Sequence, residues 1–233
     1  MRVNEVFLSC QGEGLNVGLP TVFVRFQGCN LNPACSWCDT KYAQRDGGRE
    51  VTLNALLTEI NKVRGHCNRF CITGGEPLNQ GEAVIELVRS LRSYGVDDIE
   101  IFTNGSFAPP SWSTSVQWCV DIKCPSSKTN INVTNYVHWL HSLRPTDSVK
   151  FVVADETDLN YCLEVVKALP RLGPQILVSP AVCGDIVPQN VLTIEASKEQ
   201  QKWMQRVWEF CFHNGFRFSL QNHKVLFGNK KGV

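Results

Sequence analysis

With 233 residues and 43% apolar content, the chain can bury a full hydrophobic core and is most simply one domain, residues 1–233. Its formal net charge of +1, from 23 basic and 22 acidic residues, excludes the electrostatic footprint of a nucleic-acid binder or a membrane-surface anchor, so no nucleic acid and no membrane is expected and the partner should be a small molecule. Eleven cysteines, an odd number in a chain too long to need covalent staples, predict free thiols in a reducing compartment, the cytoplasm.

The stretch Met1 to Val6 lacks the apolar segment of a signal peptide, and no later run is long and apolar enough to cross a bilayer. Thr21 to Phe26 alternates apolar and β-branched residues as a strand does, and it leads into the cysteine loop Gly28-Cys-Asn-Leu-Asn-Pro-Ala-Cys-Ser-Trp-Cys-Asp-Thr40. Leu53, Leu56, Leu57, Ile60 and Val63 then recur at helical spacing, and Arg69 to Thr73 reads as a strand. Val84, Leu87, Val88 and Leu91 mark a second helix ending near Gly95, followed by a strand over Ile99 to Thr103. Ser115 to Ile122 and Ser148 to Val153 are strand-like; Asp158 is placed to cap a helix carrying Leu159, Leu163 and Val166; Gln175 to Val178 is a short buried strand. Ser197 to Gln200 has capping-box spacing ahead of Met204, Val207, Trp208 and Cys211, whose helical spacing predicts core positions, and Phe216 to Leu220 closes as a strand. Alternating strands and helices predict parallel strands joined by crossover helices. Six or seven strands fall short of the eight of a closed barrel, which predicts an α/β fold of the incomplete, TIM-like β/α barrel type.

The chemistry is concentrated in the cysteine loop. Cys29, Cys35 and Cys38 supply three thiolates at a strand end, where α/β folds place their active sites, and leave one corner of a tetrahedral or cubane centre open. An open position is what makes a metal site reactive, so the chain reads as an enzyme. The bland alternative is a structural zinc site that pairs Cys35 and Cys38 with Cys67 and Cys71, against which stands the burial expected of Cys71 inside an apolar strand. Thr73-Gly-Gly-Glu-Pro77 follows that strand directly; paired glycines let backbone groups approach a ligand, or simply form a strand-to-helix turn.

The three-cysteine loop with Trp37, followed by Gly74-Gly-Glu-Pro77, resembles the radical S-adenosylmethionine superfamily. Ser9-Cys-Gln-Gly-Glu-Gly14, Gly18-Leu-Pro20, Phe23-Val-Arg-Phe-Gln-Gly-Cys29, Trp37-Cys-Asp-Thr40, Asp121-Ile-Lys-Cys-Pro125 and Gln221-Asn-His-Lys224, in that order, resemble the 7-carboxy-7-deazaguanine synthase family. The resemblance spans about residue 4 to residue 228. It implies a four-iron four-sulfur cluster on Cys29, Cys35 and Cys38, with S-adenosylmethionine at the open iron. It further implies magnesium on the Thr40 hydroxyl, a hard oxygen donor suited to that ion. Cys10, Gln11, Gly12 and Glu13 would line the site of a pterin substrate, Thr73 and His223 would reach the pterin, and Arg25 would meet its carboxylate. Read from the residues alone, Arg25 is equally a salt bridge on a strand face. Trp37, Gly75, Asp121, Ile122, Lys123 and the segment Ser179, Pro180, Ala181, Val182 would hold S-adenosylmethionine. The implied reaction contracts 6-carboxy-5,6,7,8-tetrahydropterin to 7-carboxy-7-deazaguanine with loss of ammonia, on the way to queuosine or archaeosine. The implied partners are an electron donor such as flavodoxin or ferredoxin and a second copy of the chain in a homodimer.

Two features depart from the family pattern. Five residues, Asn30 to Ala34, separate the first two cluster cysteines where the family commonly has three, a lengthening that costs little in loop closure. Phe102 stands before Thr103-Asn-Gly105 where the family usually carries a glutamate. The rival readings are a glycyl-radical activating enzyme of the same superfamily and a zinc-stabilised binding module.

Overall fold

Strand parity divides the molecule into a packed face and a working face. The structure, a computed structural model, describes residues 1–110, 115–131, 133–169, 173–181, 198–228 and 230–232. The chain opens with strand β1 (Arg2–Cys10), then β2 (Pro20–Phe26), β3 (Arg49–Glu50), helix α1 (Leu53–Val63), β4 (Arg69–Gly74), α2 (Gly81–Ser93) and β5 (Asp98–Thr103). It continues with β6 (Gln117–Ile122), α3 (Val133–Leu140), β7 (Ser148–Val153), α4 (Glu156–Lys167) and β8 (Gln175–Pro180). Helix α5 (Lys198–Asn214), β9 (Arg217–Phe218) and α6 (Asn222–Phe227) follow.

The strands form one open sheet in the order β3-β1-β2-β4-β5-β6-β7-β8-β9. From β2 onward every pairing is parallel, and β1 and β3 add an antiparallel margin. This is the incomplete barrel expected of the chain. All seven expected strands are present, although β6 begins two residues late and β9 is confined to Arg217–Phe218.

Because successive side chains on a strand point to opposite faces, one set packs against the helices: Val22, Val24 and Phe26 of β2, Phe70 and Ile72 of β4, Ile99 and Ile101 of β5, Trp118, Val120 and Ile122 of β6, and Val149, Phe151 and Val153 of β7. Leu56 and Ile60 of α1 and Val84, Leu87, Val88 and Leu91 of α2 meet this face. Each such side chain contributes about 1.5–3 kcal/mol by leaving water. The other parity, which carries Arg25, Thr73, Phe102, Asp121 and Lys150, turns to the concave side.

Several expectations are corrected. Asp155, not Asp158, caps α4: its carboxylate accepts from the Asp158 amide at 3.0 Å, and Asp158 itself is wholly buried. Of the four residues expected in the core from the last long helix, Val207 and Cys211 are buried and Met204 is half-buried. Trp208 is 60% exposed and lies edge-on to Phe218. Ser197, expected to open the capping box, lies outside the described residues. Four strands and helices had no forecast, the two-residue β3 among them. β1 has a mostly half-exposed pattern, α3 starts in a β-branched stretch, and α6 buries no residue. No helix among the described residues is long and apolar enough to cross a membrane.

Candidate active site

The cysteine loop leaves the C-terminal end of β2 and is pinned from three sides by backbone. Gly28 and Cys29 donate to the carbonyls of Ala43 and Gln44 at 2.8 and 2.6 Å. From the strap after β4, the Glu76 amide donates to the Gly28 carbonyl at 2.7 Å and the Gly75 amide to Phe26 at 3.2 Å. After β6, Ser36 donates through its amide to the Ser127 carbonyl at 2.9 Å and through its hydroxyl to the Ser126 carbonyl at 2.8 Å. Trp37 Nε1 donates to Ser126 Oγ at 3.3 Å. Cys29, Cys35 and Cys38 thereby border one cavity of about 220 Å³ at the C-terminal ends of the strands.

Burial pushes the Cys29 thiol up and the Cys35 thiol to about 11, so both are neutral unless a cation draws them to thiolate. Among the described residues no three His, Cys, Asp or Glu side chains converge as the ligands of a single ion do. A cubane takes one thiolate per iron, and three separated thiols on a common opening suit it. The zinc alternative fails on position. Cys67 donates to the carbonyl of Pro20, at the start of β2, about 20 Å at strand rise from the other end of that strand, where Cys35 and Cys38 border the cavity.

Glu76, which the motif reading left without a role, is fully buried and fastens the strap. Its carboxylate accepts from the Leu78 amide at 3.0 Å, Thr103 Oγ1 at 2.8 Å and the Asn104 amide at 2.7 Å. Desolvation raises it to about 7 despite those bonds. Asn104 reaches back with Nδ2 to Cys29 Sγ at 3.8 Å.

A line of alternating charges crosses the cavity floor. Lys150 Nζ lies 2.7 Å from Glu13 Oε2 and 3.6 Å from Asp121 Oδ2, and Lys123 Nζ lies 2.9 Å from the same Asp121 oxygen. Lys123 also sits 5.3 Å from the Trp37 ring centre, and Lys150 5.8 Å from that of Phe102. Burial works against the Glu13 charge, but Lys150 and then His223 outweigh it and hold the carboxyl below its ordinary value. On the same terms Asp121 and Glu13 raise the two lysines.

At the opposite wall, Lys224 Nζ meets Asp39 Oδ2 at 3.0 Å, His223 Nε2 is 3.8 Å from the same oxygen, and Thr40 Oγ1 donates to Oδ1 at 2.8 Å. Burial opposes ionisation of Asp39, yet His223, Lys224 and Thr40 take it well below the carboxylate range. Beneath the loop after β1, Glu100 accepts from Gln11 Nε2 and from Asn16 Nδ2, the latter at 2.8 Å. Desolvation raises Glu100 to about 7.

Cys10, Gln11, Gly12, Glu13, Arg25, Trp37, Thr40, Thr73, Gly75, Asp121, Lys123 and His223 all join the three cysteines around this cavity. Others are elsewhere. Ile122 has the opposite strand parity and is a core residue. Ser179 and Pro180 end β8, Ala181 follows, and none is among the lining residues, although Ser179 Oγ is buried without a hydrogen-bond partner among the described residues. Val182 lies outside the described residues. Arg25 already holds Glu5 through Nε at 2.7 Å, and Tyr42 donates to the same carboxylate at 2.9 Å. Lys150, Asp39, Lys224 and Asn104 had no forecast; a lysine in the wholly buried pattern of β7 was the one available signal. Asp121 Oδ1 and Gln221 Oε1 are likewise buried without partners among the described residues, so polar atoms await a polar ligand.

Known proteins resemble the chain in sequence and in fold. Residues 23–111 match the family model described as the Radical SAM superfamily. The chain is 41% identical over 182 residues to the 7-carboxy-7-deazaguanine synthase of Methanospirillum hungatei, covering 77% of this chain and 72% of that protein. To the synthase of that name from Thermoplasma acidophilum it is 32% identical over the whole of both chains. Among solved structures, QueE from Escherichia coli superposes with a TM-score of 0.68 at 23% identity, over 95% of this chain and 94% of that one.

Proposed function

The chain belongs to the 7-carboxy-7-deazaguanine synthase family of radical S-adenosylmethionine enzymes, and on that premise we propose that it contracts the ring of 6-carboxy-5,6,7,8-tetrahydropterin to 7-carboxy-7-deazaguanine, releasing ammonia with the help of magnesium. The observation that carries the proposal is one cavity bounded by three cluster-type cysteines on one wall and the Cys10–Glu13 loop on another. The family and its full-length relatives decide against the activating-enzyme alternative.

In this reading Cys29, Cys35 and Cys38 hold the iron-sulfur cluster. When bound, cluster and S-adenosylmethionine together supply the carbon radical that takes a hydrogen from the substrate. The residues of the chain do the rest. Gly75 and Trp37 border the nucleotide. Lys123 neutralises Asp121 through one oxygen, and Asp121 Oδ1 is left to accept from the nucleotide. Ser179 Oγ is a further buried acceptor of that kind, with Pro180 and Ala181 beside it. Glu13, kept ionised by Lys150, accepts N–H groups of the pterin, with Gln11, Thr73 and His223 around it. Arg25, bound to Glu5 through Nε, offers its Nη groups to the substrate carboxylate. Thr40 and the deeply ionised Asp39 form the oxygen-rich corner where magnesium would sit. A flavodoxin or ferredoxin would deliver the electron, a homodimer is the proposed assembly, and the product would enter queuosine or archaeosine synthesis.

An anaerobic assay of iron-sulfur-reconstituted protein with S-adenosylmethionine, magnesium, dithionite and 6-carboxytetrahydropterin, followed by mass spectrometry, tests this reading. Formation of 7-carboxy-7-deazaguanine at many turnovers per S-adenosylmethionine is expected. A competent cluster that cleaves the nucleotide without that product overturns it.

A further inference from the structure

We propose that Lys150 is a positioning residue that holds one oxygen of Glu13 and one of Asp121, so that the other oxygen of each carboxylate is presented to a ligand. The two carboxylates are used alike. Glu13 Oε2 takes Lys150 at 2.7 Å and Gln221 Nε2 at 3.3 Å, and no described residue donates to Oε1. Asp121 Oδ2 takes Lys123 at 2.9 Å and Lys150 at 3.6 Å, and Oδ1 is buried without a partner among the described residues.

The ammonium has no alternative to this arrangement. Lys150 is only 3% exposed, in a strand whose other residues are all buried, and the ring of Phe102 covers it on a third side. The tip of that ring closes on Gly14, whose missing Cβ would lie 3.0 Å from Phe102 Cζ. Water cannot compensate the charge, so the two carboxylates must. Glu13 comes from the loop after β1 and Asp121 from β6. One lysine on β7 thus sets the spacing between the substrate wall and the nucleotide wall.

The two walls should respond differently to its loss. Asp121 keeps Lys123 as a close cation, whereas of the other groups acting on Glu13, His223 is itself committed to Asp39 and Asp39 opposes the Glu13 charge. Losing Lys150 therefore falls mainly on substrate binding. The inference rests on the pterin reading, and the wild-type assay tests that reading separately.

Steady-state kinetics of anaerobically reconstituted Lys150→Met, Glu13→Gln and the double variant, with S-adenosylmethionine binding measured by equilibrium dialysis, decide it. Lys150→Met should raise the pterin KM about tenfold or more, with kcat and nucleotide affinity changed by less than about threefold. The double variant should be no worse than the poorer single one, because Lys150 acts through Glu13. Removing both charges leaves no unpaired carboxylate at Glu13, so comparing the double variant with Glu13→Gln decides even if Lys150→Met alone does not fold. An unchanged KM in Lys150→Met, or effects that multiply in the double variant, would overturn the proposal while wild-type turnover stands.

Discussion

A Cβ added at Gly75 would lie 2.4 Å from the Gly28 carbonyl oxygen and 2.6 Å from that of Ala43, and one at Gly74 would lie 2.4 Å from the Phe26 oxygen. All three are backbone atoms of the segments that carry the cysteine loop, so they cannot turn aside as a side chain can. The glycines are needed for this strap to lie against the loop, a requirement that comes before any approach to a ligand. Gly75→Ala should therefore cost about 1–3 kcal/mol as overpacking, seen as a lower thermal midpoint and, more specifically, as iron content well below wild type after reconstitution. Full iron loading in that variant would refute the argument. Glu100 poses a different single-residue problem, since burial raises its pKa from 4.5 to about 7. The native state then binds more protons than the unfolded chain between those values. Stability from this group is fully present below about 4.5 and is lost as the pH rises through about 7. The span corresponds to something on the order of 3 kcal/mol. Glu76 slopes in the same sense. Thermal melts at pH 5.5 and 7.5 should show wild type losing stability across the interval and Glu100→Gln losing markedly less; parallel losses would show that Glu100 does not titrate there.

Helix α4 reaches the cysteine loop without touching it. Asp158 accepts from the Ala154 amide at 2.8 Å, from the Ser126 amide at 3.0 Å and from Ser126 Oγ. Ser126 in turn accepts from Trp37 and Ser36. The helix thus fixes the segment after β6, and that segment fixes the loop. Asp158→Ala orphans buried donors at about 1–3 kcal/mol each. We expect a clear fall in thermal midpoint together with faster loss of iron to a chelator, and Asp158→Asn, which keeps one acceptor oxygen, should fall between. Iron retention equal to wild type in a folded Asp158→Ala would break this link. The same elements show what was legible beforehand. Strands β4 to β8 are short apolar runs set between helical repeats, and period alone finds them. β1 mixes Asn4 and Glu5 among its apolar residues because Glu5 is there to hold Arg25, so its pattern is blurred by its task. β3 exists only through pairing with Arg2 and Val3, some fifty residues away, and α3 forms where buried Tyr136, Trp139 and Leu140 override a β-branched start. Asp158 looked like a cap because it stands near a helix start, and only the fold reveals that its partners lie in another loop. The cysteines, the Gln11 to Glu13 loop and Asp121 were legible as motifs. Lys150 was not, because its meaning depends on β6, β7 and the loop after β1 coming together.

The first and last parts of the chain meet over the cavity. The Asn222 amide at the start of α6 donates to the Gly12 carbonyl at 2.9 Å, and a Cβ on Gly12 would lie 2.5 Å from His223 Nδ1, so the substrate loop and α6 are in direct contact. Lys224 then spans to Asp39 beside Thr40, joining that contact to the cysteine loop. Yet α6 buries no residue, and Leu226 and Phe227 are largely exposed. An element that adds little to the core but closes a cavity should be dispensable for folding and indispensable for binding. Ending the chain after Gln221 keeps the residue that donates to Glu13 and removes His223 and Lys224. Because the removed surface carries little buried area, the thermal midpoint should stay within a few degrees, about 2–4 °C per kcal/mol for a chain of this size. The pterin KM should rise at least about tenfold, since Asp39 loses its partners Lys224 and His223 and the wall over Gly12 opens. Cluster loading should be preserved, because the hydrogen bonds that pin Gly28, Cys29, Ser36 and Trp37 come from residues before 128, and only Asp39, past the last cysteine, loses partners with α6. Were the truncated chain to lose its cluster or fail to fold, α6 would be part of the frame, and the division of labour argued for the sheet and its last helix would be wrong.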